Sequence, residues 1–341
     1  MKYNFLGNTG LVVSELCFGT MTFGGKGYWE AIGKIQQQGV NDLVKMAVGS
    51  GINFIDTANV YSYGESEKLL GQSLKDLAIN RHELVIATKV RGRMSEGLNN
   101  VGLSRYHIFQ SVDESLQRLQ MDHIDILYVH GVDPKTPVEE VVRSLNDIVL
   151  TGKVRYVAIC NWPAWMVMKA IGIAKQHGWN QFVGMQYYYS LAGRDIEREI
   201  LPLALDQNLA VMPWSPLAGG FLSGKYTRNN EKAGDSRRDT FDFPPVNKEK
   251  AYDIIDVLAE VGKLHNVSVA EVALAWVRQQ KGITSTIIGA KNIDQLQANI
   301  KSTEIQLTED DLKKIDDISA LPKEYPGWMV ERQSADREIK S

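Results

Sequence analysis

Three ionisable side chains stand where apolar runs of the chain end. Asp56 follows Asn53-Phe54-Ile55, Lys89 follows Leu84-Val85-Ile86-Ala87-Thr88, and His130 follows Asp125-Ile126-Leu127-Tyr128-Val129. A carboxylate, an ammonium and an imidazole are groups that hold and move protons, so the set contains the ingredients of acid–base chemistry without naming a reaction. Each also has a plain structural role open to it. Asp56 suits a helix N-cap, His130 suits a strand-end contact, and Tyr61, one of 13 tyrosines, carries no signal alone. Lys89 is harder to explain structurally, because lysine is rarely buried without a partner. Later runs end in Asn161, Gln186, Trp214-Ser215 and Gly289-Ala290-Lys291. Gln186 could equally cap the end of a barrel with hydrogen bonds, but polar groups ending nearly every run predict a shared site.

The elements that would position these groups follow from the same runs. They lie at 16–19, 53–56, 84–89, 125–130, 154–159, 182–186, 209–213 and 285–289, continuous rather than alternating, as expected of parallel strands buried on both faces. Helical patterns separate them: 41–48, a stripe over Leu69, Leu70, Leu74 and Leu77, a stripe from Ile108 to Leu119 behind a Ser104 N-cap, 138–149 after Pro137, then 163–177, 195–207, 249–265 and 268–280. Eight strand–helix units without a Gly-x-Gly-x-x-Gly after the first strand favour an α/β fold of the closed (β/α)8 TIM-barrel type over an open doubly wound sheet. In such a barrel the site forms at the C-terminal strand ends, where the polar residues fall. Residues 1–14 read as an N-terminal β-hairpin plugging one barrel end, and 215–247 as a long loop after strand seven with the character of a lid. Beyond strand eight, 292–321 holds two more helices, the second starting at Thr308-Glu309, before a C-terminal tail. One barrel domain over 1–341 is expected.

Composition narrows the function class. The 341 residues include 38 basic and 41 acidic, a formal charge of -3, so no basic excess points to nucleic acid. The two cysteines, Cys17 and Cys160, make no disulfide framework and no metal-ligand spacing, so no metal is expected. Met1 to Gly7 lacks the apolar core of a signal peptide, and no apolar run approaches the roughly 18 residues of a membrane span. A soluble, cytoplasmic enzyme or ligand-binding barrel is the expectation, with oligomerisation left open.

Over nearly its whole length the chain resembles the aldo-keto reductases. The resemblance is carried by Leu6-Gly7, Thr9-Gly10, Val13-Ser14 and Phe18-Gly19-Thr20. Asn53-Phe54-Ile55-Asp56-Thr57-Ala58 with Tyr61, Tyr63-Gly64, Glu67 and Leu70-Gly71 follows. Next come Leu116, Arg118-Leu119, Asp122, Ile124-Asp125, His130 and Asp133, and then Gly152-Lys153-Val154-Arg155. Trp214-Ser215-Pro216-Leu217-Ala218 with Gly220 and Leu222-Ser223-Gly224-Lys225-Tyr226 completes it. The resemblance implies reduction of an aldehyde or ketone by NADPH, with NADH as the alternative, through a tetrad of Asp56, Tyr61, Lys89 and His130. Tyr61 would give the proton, Lys89 stabilise tyrosinate character, Asp56 hold the lysine, and His130 donate to the carbonyl oxygen. The cofactor would lie across the barrel mouth. Gly19, Thr20, Met21, Asp56 and Cys160 would approach it, Asn161 and Gln186 would bind its carboxamide, and Trp214 would stack on its ring. Ser215, Pro216, Leu217, Ala218 and Lys225 would cover its pyrophosphate, and Gly289, Lys291, Gln295 and Asn299 would surround its adenosine phosphate. Cys160 stands where many members have Ser, Trp214 where shorter members have Tyr or Phe, Ala298 where Glu is common, and Lys291 where many carry Arg, whose bidentate fork lysine cannot make.

Phe23, Trp29, Arg91, Trp162 and Trp328, with Met21 and Tyr28, are expected at the substrate pocket. Their aromatic character suits an apolar or aromatic carbonyl and equally suits core packing. Arg91 suits either an anionic substrate group or a surface ion pair. Two other readings compete. Gly102-Leu103-Ser104-Arg105 and Trp214-Ser215-Pro216-Leu217 are also similar to the β subunits of voltage-gated potassium channels, which implies an NADPH-holding, redox-sensing regulatory subunit. A phosphate-handling isomerase or lyase barrel would need a Gly-rich cup, to which Ala218-Gly219-Gly220 is a weak match.

Overall fold

The computed structural model describes residues 1–231, 234 and 237–334. Two short strands, β1 (Tyr3–Phe5) and β2 (Val12–Ser14), pair antiparallel. The barrel strands are β3 (Leu16–Gly19), β4 (Phe54–Asp56), β5 (Val85–Val90), β6 (Ile124–Val129), β7 (Val154–Cys160), β8 (Phe182–Tyr188), β9 (Ala210–Trp214) and β10 (Thr286–Ile288). They pair in parallel in the order β10-β3-β4-β5-β6-β7-β8-β9. The ring closes where Val211 bridges Ile283 in parallel and the Thr284 N–H donates to the Val211 carbonyl at 2.9 Å. The fold is thus a (β/α)8 barrel with a hairpin at its start, as expected.

The strands' period of two sorts their side chains. Cys17, Phe54, Val85, Ala87, Ile126, Tyr128, Ala158, Cys160, Ala210, Met212 and Ile287 meet inside the barrel. Their neighbours Leu16, Phe18, Ile55, Ile86, Leu127 and Ile159 face outward into the layer shared with the helices. Leu6 and Val13 of the hairpin join the interior cluster and stopper one end. The turn that carries Leu6 requires Gly7. At φ +55° it lies so close to the backbone that a Cβ would stand 2.4 Å from the Val183 carbonyl and 2.8 Å from the Ala210 nitrogen. Those atoms begin β8 and β9, so the plug closes the N-terminal end and leaves the C-terminal end as the mouth.

The helices are α1 (Gln37–Gly49), α2 (Glu65–Asp76), α3 (Arg105–Leu119), α4 (Val138–Leu150), α5 (Ala164–His177), α6 (Ile200–Gln207), α7 (Arg237–Thr240), α8 (Lys248–His265), α9 (Val269–Gln279), α10 (Ile293–Lys301), α11 (Glu309–Ser319) and α12 (Gly327–Ser334). Ser104 caps α3 by accepting from the His107 N–H, and Thr308 and Asp311 form a capping box on α11. The helix expected over 195–207 divides into a 3-10 turn, Asp195–Glu197, and α6. Pro202 gives the reason: it lacks an N–H, and its ring would strike the carbonyl of Arg198 four residues earlier, so it tolerates only a first-turn position. No helix of the described residues is long and apolar enough to cross a membrane.

Candidate active site

Strand parity delivers three of the expected groups to the barrel lumen. Val85, Ala87 and Lys89 alternate inward along β5, Phe54 and Asp56 along β4, and His130 continues the inward series Ile126 and Tyr128 just past β6. Tyr61 arrives differently, in a 3-10 turn after β4 (Tyr61–Gly64) whose Ser62 and Tyr63 adopt left-handed backbone angles.

These side chains meet. Lys89 is fully buried and its Nζ is bonded to Asp56 Oδ2, with Asp56 itself only 2 % exposed. The same Nζ donates to the Thr57 carbonyl at 2.8 Å and to the Tyr61 hydroxyl oxygen at 3.3 Å. Gln186 Nε2 donates to the second Asp56 oxygen at 2.9 Å. The ring of His130 stands edge-on to Tyr61 with centroids 5.8 Å apart. Behind the wall, fully buried Glu67 accepts from Thr88 Oγ1 and from Arg118 Nε, both at 2.6 Å, tying α2, β5 and α3 together next to Lys89.

The electrostatics follow from burial and charge. Burial is the largest single influence and would lower the Lys89 ammonium, but the negative partners around it, Asp56 foremost and then Tyr61 and Cys160, together hold Lys89 above the ordinary lysine value. Burial pushes the Tyr61 phenol above its ordinary value, Lys89 draws it partly back, and Asp56 adds to the rise. Burial, then the positive charges of Lys89 and Arg91, hold His130 well below the ordinary imidazole value, so it is neutral near pH 7. The site therefore presents a protonated phenol, flanked by a fixed ammonium and a neutral imidazole.

Around the mouth, Trp214 Nε1 donates to Asn161 Oδ1 at 3.0 Å. An arc of rings runs from Tyr61 to Trp29 (5.3 Å), Tyr28 (5.7 Å), Phe241 (5.5 Å), Phe243 (5.6 Å) and Trp214 (5.8 Å), with Tyr188 on Trp214 at 5.1 Å. The loop after β9 therefore reaches across to the segment after β3. Phe241, Phe243 and Tyr188 were not singled out by sequence, although the long loop that carries the two phenylalanines was.

Other expected residues stand apart from the opening. Phe23 is fully buried and packs edge-on to Phe18 at 5.8 Å in the outer layer. Trp162, 2 % exposed, also lies in that layer, because the chain turns at Asn161 (φ +56°) after β7. Both were expected at the substrate pocket; the structure places both side chains in the buried layer between the strands and the helices. Trp328 is exposed on α12 and packs on Tyr325 at 6.1 Å. Thr20 is buried with its hydroxyl on Ser66, Cys160 lies inside the barrel, and Asn299 Nδ2 donates to the Gly289 carbonyl at 3.0 Å. Gln186 serves Asp56. Of the remaining set, Pro216 and Ala218 are buried, Met21, Ser215 and Leu217 half-buried, and Lys225, Lys291 and Gly289 exposed. Gln295 accepts from the Lys291 N–H at 2.9 Å, and Gly19 sits in β3 with a Cβ position 2.9 Å from Ile287.

The aldo/keto reductase family profile matches residues 15–320. The chain belongs to the aldo/keto reductase family. It is 34% identical to versiconal hemiacetal acetate reductase of Aspergillus parasiticus, over 96% of this chain and 99% of that protein. It is 35% identical to norsolorinic acid reductase stcV of Emericella nidulans, over 93% and 81%. It is 34% identical to an Arabidopsis thaliana protein named "Probable voltage-gated potassium channel subunit beta", over 95% and 98%. Family and reductase-named relatives together make this aldo/keto reductase an oxidoreductase, with carbonyl reduction as its general chemistry. Members use nicotinamide cofactors.

Proposed function

We propose that this protein reduces an aldehyde or ketone with NADPH, the proton coming from Tyr61. The observation that carries this reading is Lys89 Nζ, fully buried and held by Asp56, with the Tyr61 hydroxyl 3.3 Å away. A carbonyl carbon accepting hydride gathers negative charge on its oxygen, and a positioned acid must neutralise it. Tyr61 Oη holds a proton to well above neutral pH and gives it to that oxygen. Lys89 then faces the tyrosinate it helps to stabilise, and Asp56 keeps the ammonium charged and aimed. Gln186 fixes the carboxylate's orientation through its other oxygen. The neutral imidazole of His130 offers one N–H to the same carbonyl oxygen and sets the substrate's pose.

The bound nicotinamide supplies the hydride, which no side chain can. The mouth suits a long group with an aromatic head and an anionic tail. Trp214 offers a ring face beside Asn161, and Lys225 and Lys291 are exposed without an ion pair among the described residues. Gly289 has no atom within 4 Å of its Cβ position, leaving room at the end of β10. Lys291 is the residue to meet a 2′-phosphate, which is why NADPH is favoured.

The test is NADPH consumption against a panel of aldehydes and ketones, with NADPH binding measured in parallel. Turnover of some carbonyls is expected. The similarity to a potassium-channel β subunit supports a second reading, an NADPH-holding sensor, which predicts tight binding and no turnover. Failure to bind NADPH would overturn both.

A further inference from the structure

We infer that Arg91 is an anion-recognition residue of the substrate pocket, so that the preferred substrates are carbonyl compounds bearing a carboxylate. This rests on the reductase reading and names the substrate class of that site. Arg91 directly follows β5, two residues beyond Lys89, and its Nε donates to the Val132 carbonyl at 3.1 Å. That carbonyl lies two residues past His130, whose own N–H donates to Val90 at 2.9 Å. The guanidinium is thereby pinned to the rim beside the imidazole, and its charge is felt there.

Three observations point to an outside ligand. Arg91 is exposed and makes no ion pair among the described residues, so the surface-pair alternative is not realised. The nearby carboxylate, Asp133, feels the charge of Arg91 but makes no ion pair with it, and accepts instead from the Leu103 N–H at 2.8 Å, the Lys135 N–H at 3.0 Å and the Thr136 hydroxyl at 2.6 Å. Arg91 also adopts φ +150°, a backbone region largely reserved for glycine, and strain of this kind gathers where function requires it. With Nε spent, the two terminal nitrogens are left to form the planar fork that matches a carboxylate.

The topology separates this anion from the cofactor's. In the order β10-β3-β4-β5-β6-β7-β8-β9, β5 lies across the ring from β9, while Lys225 and Lys291 follow β9 and β10. An anion at Arg91 therefore belongs to the substrate on the His130 side.

The experiment compares kcat/KM for 3- and 4-carboxybenzaldehyde with that for their methyl esters, using the full chain and NADPH. The wild type is expected to favour an acid over its ester by about tenfold, the advantage of a charge-assisted contact at a partly hydrated site. The preference should shrink as ionic strength rises, which needs no variant. Arg91→Gln and Arg91→Gly should bring the ratio to about one, and Arg91→Lys should keep part of it. A wild-type ratio of one or below for both acids overturns the inference, as does a ratio unchanged in both Arg91→Gln and Arg91→Gly. Turnover of the esters in those cases leaves the reductase reading standing. No turnover of acid or ester overturns that reading and this inference with it.

Discussion

The barrel buries an ion pair at each end, and the two are built differently. At the closed end Arg278 and Glu15 meet at 2.7 Å, both nearly inaccessible. The pair's other hydrogen bonds go to the backbone. Arg278 donates to the carbonyls of Ser302 at 3.1 Å and Ile305 at 2.7 Å, and Glu15 accepts from the Lys2 N–H at 2.7 Å. At the mouth Lys89 and Asp56 are as deeply buried, but one donor of Lys89 ends on Tyr61, a group that can itself change protonation. Burial of a charged pair thus says little about its role. Where its hydrogen bonds end says more: on backbone, the pair ties elements together; on a titratable side chain, it can tune a proton.

The comparison is sharpest at Tyr61. Tyr61→Phe should lower kcat for carbonyl reduction by about 10²- to 10⁴-fold, the range for losing a general acid, with NADPH affinity by fluorescence titration little changed. Wild-type turnover in that variant would remove the distinction between the two ends. Next come the cations. Lys89→Met and Arg278→Met each strand a buried carboxylate, and each should cost about 3–5 kcal/mol in denaturant unfolding. Only Lys89→Met should also abolish turnover, and an Arg278→Met enzyme that folds yet is equally inactive would break the contrast.

Smaller effects test the tuning itself. Because burial holds Tyr61 above its ordinary value of about 10, reduction should lose activity only above roughly pH 10. Because His130 is held well below its ordinary value near 6.5, no loss should occur as pH falls through 6.5. A kcat/KM profile that bends near pH 6.5 would contradict the neutral imidazole. Gln186→Met, which frees one oxygen of Asp56, should lower kcat by about tenfold or less and move the alkaline limb. A purely structural glutamine would change stability and leave that limb in place, so the profile reads its positioning role.

Much of this molecule was legible in its sequence. Short β-branched runs and the amphipathic stretches between them gave strands within a residue or two of those observed. Residues ending the runs coincided with the groups that meet in the lumen, because period-two alternation forces Lys89 to the face of Val85 and Ala87. Boundaries failed where a local steric rule intervened, as at Pro202. Residues past a strand end were harder, since a positive φ at Asn161 redirects the chain and takes Trp162 behind the wall.

The sequence by itself determined the barrel, the family and the types of the ionisable groups that meet in the lumen, because periodicity and ordered motifs are properties of one dimension. Tertiary structure alone decided which side chains touch. It committed Gln186 to Asp56 across 130 residues, assembled the ring arc from Trp29 to Trp214, and left Arg91 without an ion pair among the described residues. Such contacts depend on strand register and on where loops land, and those are set by the packing of the whole chain.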